Sequence, residues 1–226
     1  MAFSCCFTCC PLFPGPSRER EPLNAQHSRK RQDIRNVHFS KGKPLTMKRV
    51  NIPEIDALFN SIAETFNKQQ DDCLSLREAM QNLKDSYDCS PASSFSVCIE
   101  KILQEHSAYH VQVCMEGYRF WLDVGAKEVP EKLKQTQQQV GKLNFATKGI
   151  VSTTVQEMIH SVHQSQDNLM ENVRNSSPEY LDWLRLENNL KENIGKINQA
   201  QRFSEQHKEE AHCVLMDMAK SANATL

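Results

Sequence analysis

Glycine is scarce in this 226-residue chain, with seven in all, and aromatic residues make up only 7 %. So few glycines disfavour a fold built from many tight turns and favour long helices. No run of 18 apolar residues occurs, so no transmembrane helix is expected. No charge precedes Arg18, so the cationic start of a secretory signal is missing, and Pro11, Pro14 and Pro16 interrupt the apolar stretch behind it. The chain is therefore expected to stay in a reducing compartment, with its nine cysteines mostly as free thiols. Phosphate-binding and hydrolase signatures are also missing: there is no G-x-x-x-x-G-K-[ST], no G-x-G-x-x-G and no G-x-S-x-G. The reading is of a non-enzymatic chain with no cofactor.

What is present starts at the head. Cys5, Cys6, Cys9 and Cys10 crowd the first ten residues, with Phe3 and Phe7 among them. Thiols beside aromatic residues, with cations behind them, suit S-acylation at a cytosolic membrane face. Two acyl chains, or one chain plus a basic patch, hold a protein stably on a bilayer. The cations are Arg18, Arg20, Arg29, Lys30, Arg31 and Arg35, which would contact an anionic surface at about 1 kcal/mol each. Ala2 stands where N-myristoylation needs glycine. Cys6 and Cys9 have C-x-x-C spacing, but four thiols within six residues do not readily converge on one zinc ion.

The near-neutral net charge of −1 hides an asymmetry. Residues 1–50 hold ten Lys/Arg against three acids, a balance of +7, and the remainder holds 17 against 25, a balance of −8. A basic arm on an acidic body is expected to meet something anionic. Proline and charge dominate the arm, so residues 1–50 are expected to be largely disordered.

Residues 51–222 read as helix. Ile52, Ile55, Phe59, Ile62, Phe66, Gln69, Cys73, Leu76, Met80, Leu83 and Tyr87 recur at steps of three and four. That is a heptad seam and predicts a helix over 53–87. Within it, Phe59, Ile62, Phe66, Leu76 and Met80 form a packing or partner seam. Asp88-Cys89-Ser90-Pro91 ends the pattern. Phe95, Ile99, Ile102, His106, Tyr109, Val113 and Phe120 predict a second helix over 94–126. Leu133, Val140, Leu143, Thr147, Val151, Val155, Met158, Val162, Leu169 and Val173 predict a third over 130–174, with a kink near Gly141 and Gly149. Pro178 and the stripe from Trp183 to Met218 predict a fourth over 178–220. Four long helices on short links predict an all-α fold: an elongated antiparallel four-helix bundle or coiled coil behind a disordered basic N-terminal arm.

Three functional readings follow. The first is a cytoplasmic, membrane-peripheral helical adaptor or scaffold, anchored by S-acylation, with a protein partner and an anionic membrane as its surfaces. The second is a soluble coiled-coil protein, homo- or hetero-oligomeric, whose basic arm contacts nucleic acid or acidic partners. Nucleic acid is the less favoured of these, since Arg29-Lys30-Arg31 lacks interleaved aromatics. The third is a bundle metalloprotein built on Glu157-x-x-His160 and Glu209-x-x-His212. It is disfavoured because the two motifs lie about 20 Å apart along the helices, so no metal ligands are assigned.

Overall fold

The computed structural model describes residues 44–176 and 179–224. The head cysteines Cys5, Cys6, Cys9 and Cys10 and the cations Arg18, Arg20, Arg29, Lys30, Arg31 and Arg35 lie outside the described residues.

The described chain is mostly helical, with one small sheet. Helix α1 is Pro53–Ser86, α2 is Phe95–Glu105, and α3, α4 and α5 are Glu131–Val151, Val155–Gln164 and Gln166–Ser176. Helix α6, Tyr180–Ser221, is the longest at 42 residues. Strands β1 (Val111–Glu116) and β2 (Arg119–Val124) form an antiparallel pair between α2 and α3.

Three helical columns make the body. Gln69 of α1 meets Ser204 of α6, and Arg77 meets Glu210, so these two helices run in the same direction. Tyr87 meets Thr136 of α3 while Asp72 lies against Gly149, so α3 runs the opposite way. Helices α4 and α5 continue that middle column and pack on α6. A Cβ on Gly149 would come within 2.3 Å of Asp72 Oδ2. A larger residue here would require the Asp72 carboxylate to swing aside.

The expected second helix, 94–126, does not form. Only the 11 residues of α2 are α-helical, and a short 3-10 turn, Ser107–Tyr109, follows. His110 takes a left-handed conformation, with φ 51°, and the hairpin begins. Val111 and Val113 on β1 and Phe120 and Leu122 on β2 turn one face inward, while Arg119, Trp121 and Asp123 are exposed. This alternation has period two and belongs to a half-buried strand. Gly117 begins the two-residue turn with φ +55°, a value that side chains disfavour. The two amides of Gln137 and Asn144 on α3 bond the Leu122 carbonyl and the Phe120 N–H, covering the free edge of β2. The short α2 and the returning hairpin leave the chain at the end it came from. The middle column therefore starts beside the C-terminus of α1. The antiparallel four-helix order is replaced by three columns with α2 and the hairpin set at one end, and the strands make all-α inexact.

The third expected helix, 130–174, is broken twice. The first break, at residues 152–154, follows Gly149 within a run of β-branched and hydroxyl residues, Val151-Ser152-Thr153-Thr154-Val155. Such residues lose rotamer freedom in a helix or divert its backbone bonds. Val155 N–H donates to Thr153 Oγ1 at 3.5 Å. At the second break Ser165 Oγ donates back to the Ser161 carbonyl at 2.8 Å. The first and fourth expected helices are present as α1 and α6, with ends shifted by one or two residues.

Two apolar cores result. One gathers Leu76, Leu83, Ile102, Phe120, Leu133, Leu143 and Met218 around the hairpin end. The other gathers Phe59, Ile62, Phe66, Ile159, Leu190 and Ile197 at the far end.

Candidate functional site

The most elaborated surface feature lies in the outer groove between α1 and α6. Residues 45–50 run along it as an extended strap, antiparallel to both helices. Asn67 on α1 accepts from the Leu45 N–H at 2.7 Å and donates to the Leu45 carbonyl at 3.1 Å. Asn193 on α6 repeats the pattern, accepting from the Lys48 N–H at 2.8 Å and donating to its carbonyl at 2.7 Å. Asn189 and Lys196 donate to the carbonyls of Arg49 and Thr46, and Asp56 accepts from the Val50 N–H. These side chains bind backbone groups, as a neighbouring strand would. Val50 is fully buried in the far core. Asn51 then takes φ 59°, a conformation that asparagine tolerates, and turns the chain into α1.

The spacing accounts for the extended form. Asp56 to Asn67 is eleven residues of helix, about 16 Å. Val50 back to Leu45 is five steps of extended chain, also about 16 Å. The lysine head of Lys48 reaches Glu192 at 2.6 Å, and Lys196 reaches the same carboxylate at 3.3 Å. The Lys48 bond, with help from Lys196, holds the Glu192 carboxyl below its ordinary value. The arm expected to be unstructured as far as residue 50 thus has its last six residues bonded into the body.

Farther along the same groove the walls open into a recess of about 480 Å³, with Leu76, Met80, Phe95 and Val214 as apolar lining. Arg77 forms a two-pronged pair with Glu210, at 2.6 and 2.8 Å. Lys84 is held by the carbonyls of Pro91 and Ser93. Asp217 accepts from the Ser96 N–H and so caps the start of α2. Exposed Cys213 stands on the rim.

Between strap and recess the two cores are separated by buried polar side chains: Gln69, Ser204 and His207. His207 stacks on Phe66, with ring centroids 6.2 Å apart. Gln69 Oε1, Ser204 Oγ and His207 Nδ1 have no hydrogen-bond partner among the described residues. Burial holds the imidazole below its ordinary pKa; Arg77 pushes the same way and Glu210 partly opposes them. Burial, assisted by Glu210, pushes the neighbouring Cys73 thiol up to about 12, so it is an inert thiol and not a nucleophile.

A pH dependence follows with a definite sign. The folded state keeps His207 neutral, while the unfolded chain takes up a proton below about pH 6.5. Stability is therefore present at neutral pH and is lost as pH falls through that value, by up to about 1.4 kcal/mol per pH unit. His106 is lowered by burial in the same direction. Thermal unfolding of wild type and His207→Gln between about pH 7.5 and about pH 5.5 separates the two contributions. The expected result is a shallower acid loss in the variant.

A second buried polar chain lies near the hairpin. Tyr87 Oη is 2.8 Å from His106 Nε2 and 2.6 Å from Thr136 Oγ1, which donates to the Lys132 carbonyl at 2.9 Å. With the threonine proton committed, Tyr87 donates to Thr136 and His106 donates to Tyr87 through a protonated Nε2. The Lys132 ammonium lies 4.4 Å from the Tyr87 ring centroid. The chain joins α1, α2 and α3 structurally, and no cleft residue continues it.

The sequence-predicted seam is divided between the cores. Phe59, Ile62 and Phe66 are buried in the far core and Leu76 in the near one, while Met80 is half-buried and lines the recess. Glu157, His160, Glu209 and His212 are all exposed. No group of three or more metal-ligating side chains is present among the described residues. The strap and its asparagines were missed by the sequence reading. The available signal was Leu45, Met47 and Val50 ahead of Pro53, against Asn67, Asn189 and Asn193 on otherwise heptad-patterned helices.

Comparison with protein-family models, curated proteins and solved structures gives no match.

Proposed function

We propose that this chain is a non-enzymatic helical adaptor, held at a cytoplasmic membrane face by S-acylation of Cys5, Cys6, Cys9 and Cys10. The observation that carries the reading is the four-thiol head followed by the basic stretch from Arg18 to Arg35. Together these supply the two signals that stable anchoring requires. Among the described residues no helix is long and apolar enough to cross a membrane, so membrane attachment rests on the head. The coiled-coil-like body supports the adaptor half of the reading. Its polar side chains Asn67, Asn189 and Asn193 grip backbone in a groove; they do not align a nucleophile, base and acid.

The test is acyl-exchange labelling with membrane fractionation of the full chain. Wild type is expected to label at the head and to sediment with membranes. The variant with all four head cysteines changed to serine is expected to lose the label and move to the soluble fraction. Unlabelled wild-type thiols, or unchanged fractionation of the variant, would overturn the anchor.

A further inference from the structure

The strap shows what the α1/α6 groove is built to bind: the backbone of an extended peptide. The same chemistry continues past the strap. On α1 the strip through Asn67 runs on through Gln70, Leu74, Arg77 and Gln81, at steps of three and four. On α6 the strip through Glu192 and Lys196 runs on through Gln199, Phe203, Gln206, Glu210, Cys213 and Asp217. Such steps keep residues on one face of a helix. Strap and recess therefore share one groove, and the amides of Gln70 and Gln206 stand along it beyond the strap. A side-chain amide offers both a donor and an acceptor, which is how Asn67 and Asn193 each hold one residue of backbone. At the end of the strips the recess presents Leu76, Met80, Phe95 and Val214.

We propose that this half of the groove, which no described residue of the strap covers, is a docking channel for an extended partner peptide. Amides of α1 and α6 grip the peptide backbone, and one large apolar side chain seats in the recess. The occupant's chemistry follows from continuity with the strap interface. A helix would present no free backbone N–H and C=O to the amides, whereas an extended strand presents both. The spacing fixes the anchor. From Asn67 to Met80 is thirteen residues of helix, about 20 Å. That equals about six residues of extended chain, so the channel between the end of the strap at Leu45 and the recess holds a peptide segment of about six residues with its anchor at the far end. The recess lining carries charge, but Arg77 and Glu210 pair with each other and Lys84 is committed to two carbonyls. What remains is an apolar seat. The inference rests on the adaptor reading and identifies the class of partner, but it is independent of the lipid anchor.

A suitable probe exists in the chain's own sequence: Asn36-Val37-His38-Phe39-Ser40-Lys41-Gly42-Lys43-Pro44, one aromatic residue six positions before Leu45. A labelled synthetic peptide of this sequence is titrated into the full-length protein, and fluorescence anisotropy is read in solution without membrane. Saturable binding is expected. It should weaken at least about 10-fold when the peptide's phenylalanine is changed to alanine, and similarly when the protein carries Met80→Glu. Circular dichroism checks that the variant folds, and Cys213→Arg on the exposed rim is the alternative. Full-length Phe39→Ala protein is tested in parallel. Binding to that protein and not to wild type assigns the channel to the chain's own segment and overturns the partner as its occupant. No binding to either protein, or equal affinity for the alanine peptide, overturns the proposal. Neither result depends on acylation, so failure here is distinguishable from failure of the anchor.

Discussion

Phe120→Ala is expected to lower the unfolding free energy by about 3–5 kcal/mol, the range for an aromatic removed from a tight core. Phe120 is 1 % exposed. It points from β2 into the core that also holds Ile102, Leu133 and Leu143. A two-stranded hairpin is marginal in water by itself, so its persistence depends on the surface it docks against. Docking here has two parts: the inward face of Val111, Val113, Phe120 and Leu122, and the amide contacts from Gln137 and Asn144. Removing the ring takes away the largest part of the first and loosens the second. Urea unfolding followed by circular dichroism measures the loss. Trp121→Ala, on the opposite and partly exposed face of the same strand, is expected to cost much less. Similar losses for the two variants would refute the inward-face assignment.

Asn193→Ala is expected to cost about 1–3 kcal/mol and to release the strap. Asn193 is completely buried and satisfies both backbone groups of Lys48. Lys48 is itself exposed, so water can satisfy its released groups, and each lost hydrogen bond costs a net of about 0.5–1.5 kcal/mol. Lys48 and Arg49 are trypsin sites on the strap, so limited proteolysis reports the release directly. Faster cleavage after residues 48 and 49 is expected in Asn193→Ala. Glu192→Gln, which breaks only the exposed ion pairs to Lys48 and Lys196, is expected to leave cleavage nearly unchanged. If both variants cleave alike, surface charge and not the buried amide holds the strap.

Helices α1 and α6 were legible in the sequence because each keeps one apolar stripe over many turns. Their interiors contain no proline, and a single polar intrusion, such as Gln69, does not disturb the three-four rhythm. The hairpin was not legible by that method. Tyr109, Val113 and Phe120 also fall at helical steps, so a short segment satisfies both periods. Val111/Val113 and Phe120/Leu122 around Glu116-Gly117-Tyr118-Arg119 were the discriminating pattern. The middle column was read as continuous because its apolar positions stay in phase across both breaks. The breaks fall at the hydroxyl residues Ser152-Thr153-Thr154 and Ser165, whose side chains bond the local backbone, and apolar periodicity does not register them. The groove was the least visible part. Its strap is joined to α6 by contacts 140 to 150 residues apart in sequence, a range at which no local pattern speaks.

The polar belt of Gln69, Ser204 and His207 has one more consequence. Two parallel helices with leucine-rich stripes alone can slide past one another by a heptad at little cost, since one apolar knob replaces another. In this chain such a slip would set Gln69 and His207 among aliphatic side chains and strip them of the surroundings they have now. Buried polar groups are far more demanding of their neighbours than methyl groups are. The belt thus acts as an index mark, and it holds Asn67, Asn193 and the recess at the separation a single strand of peptide can span.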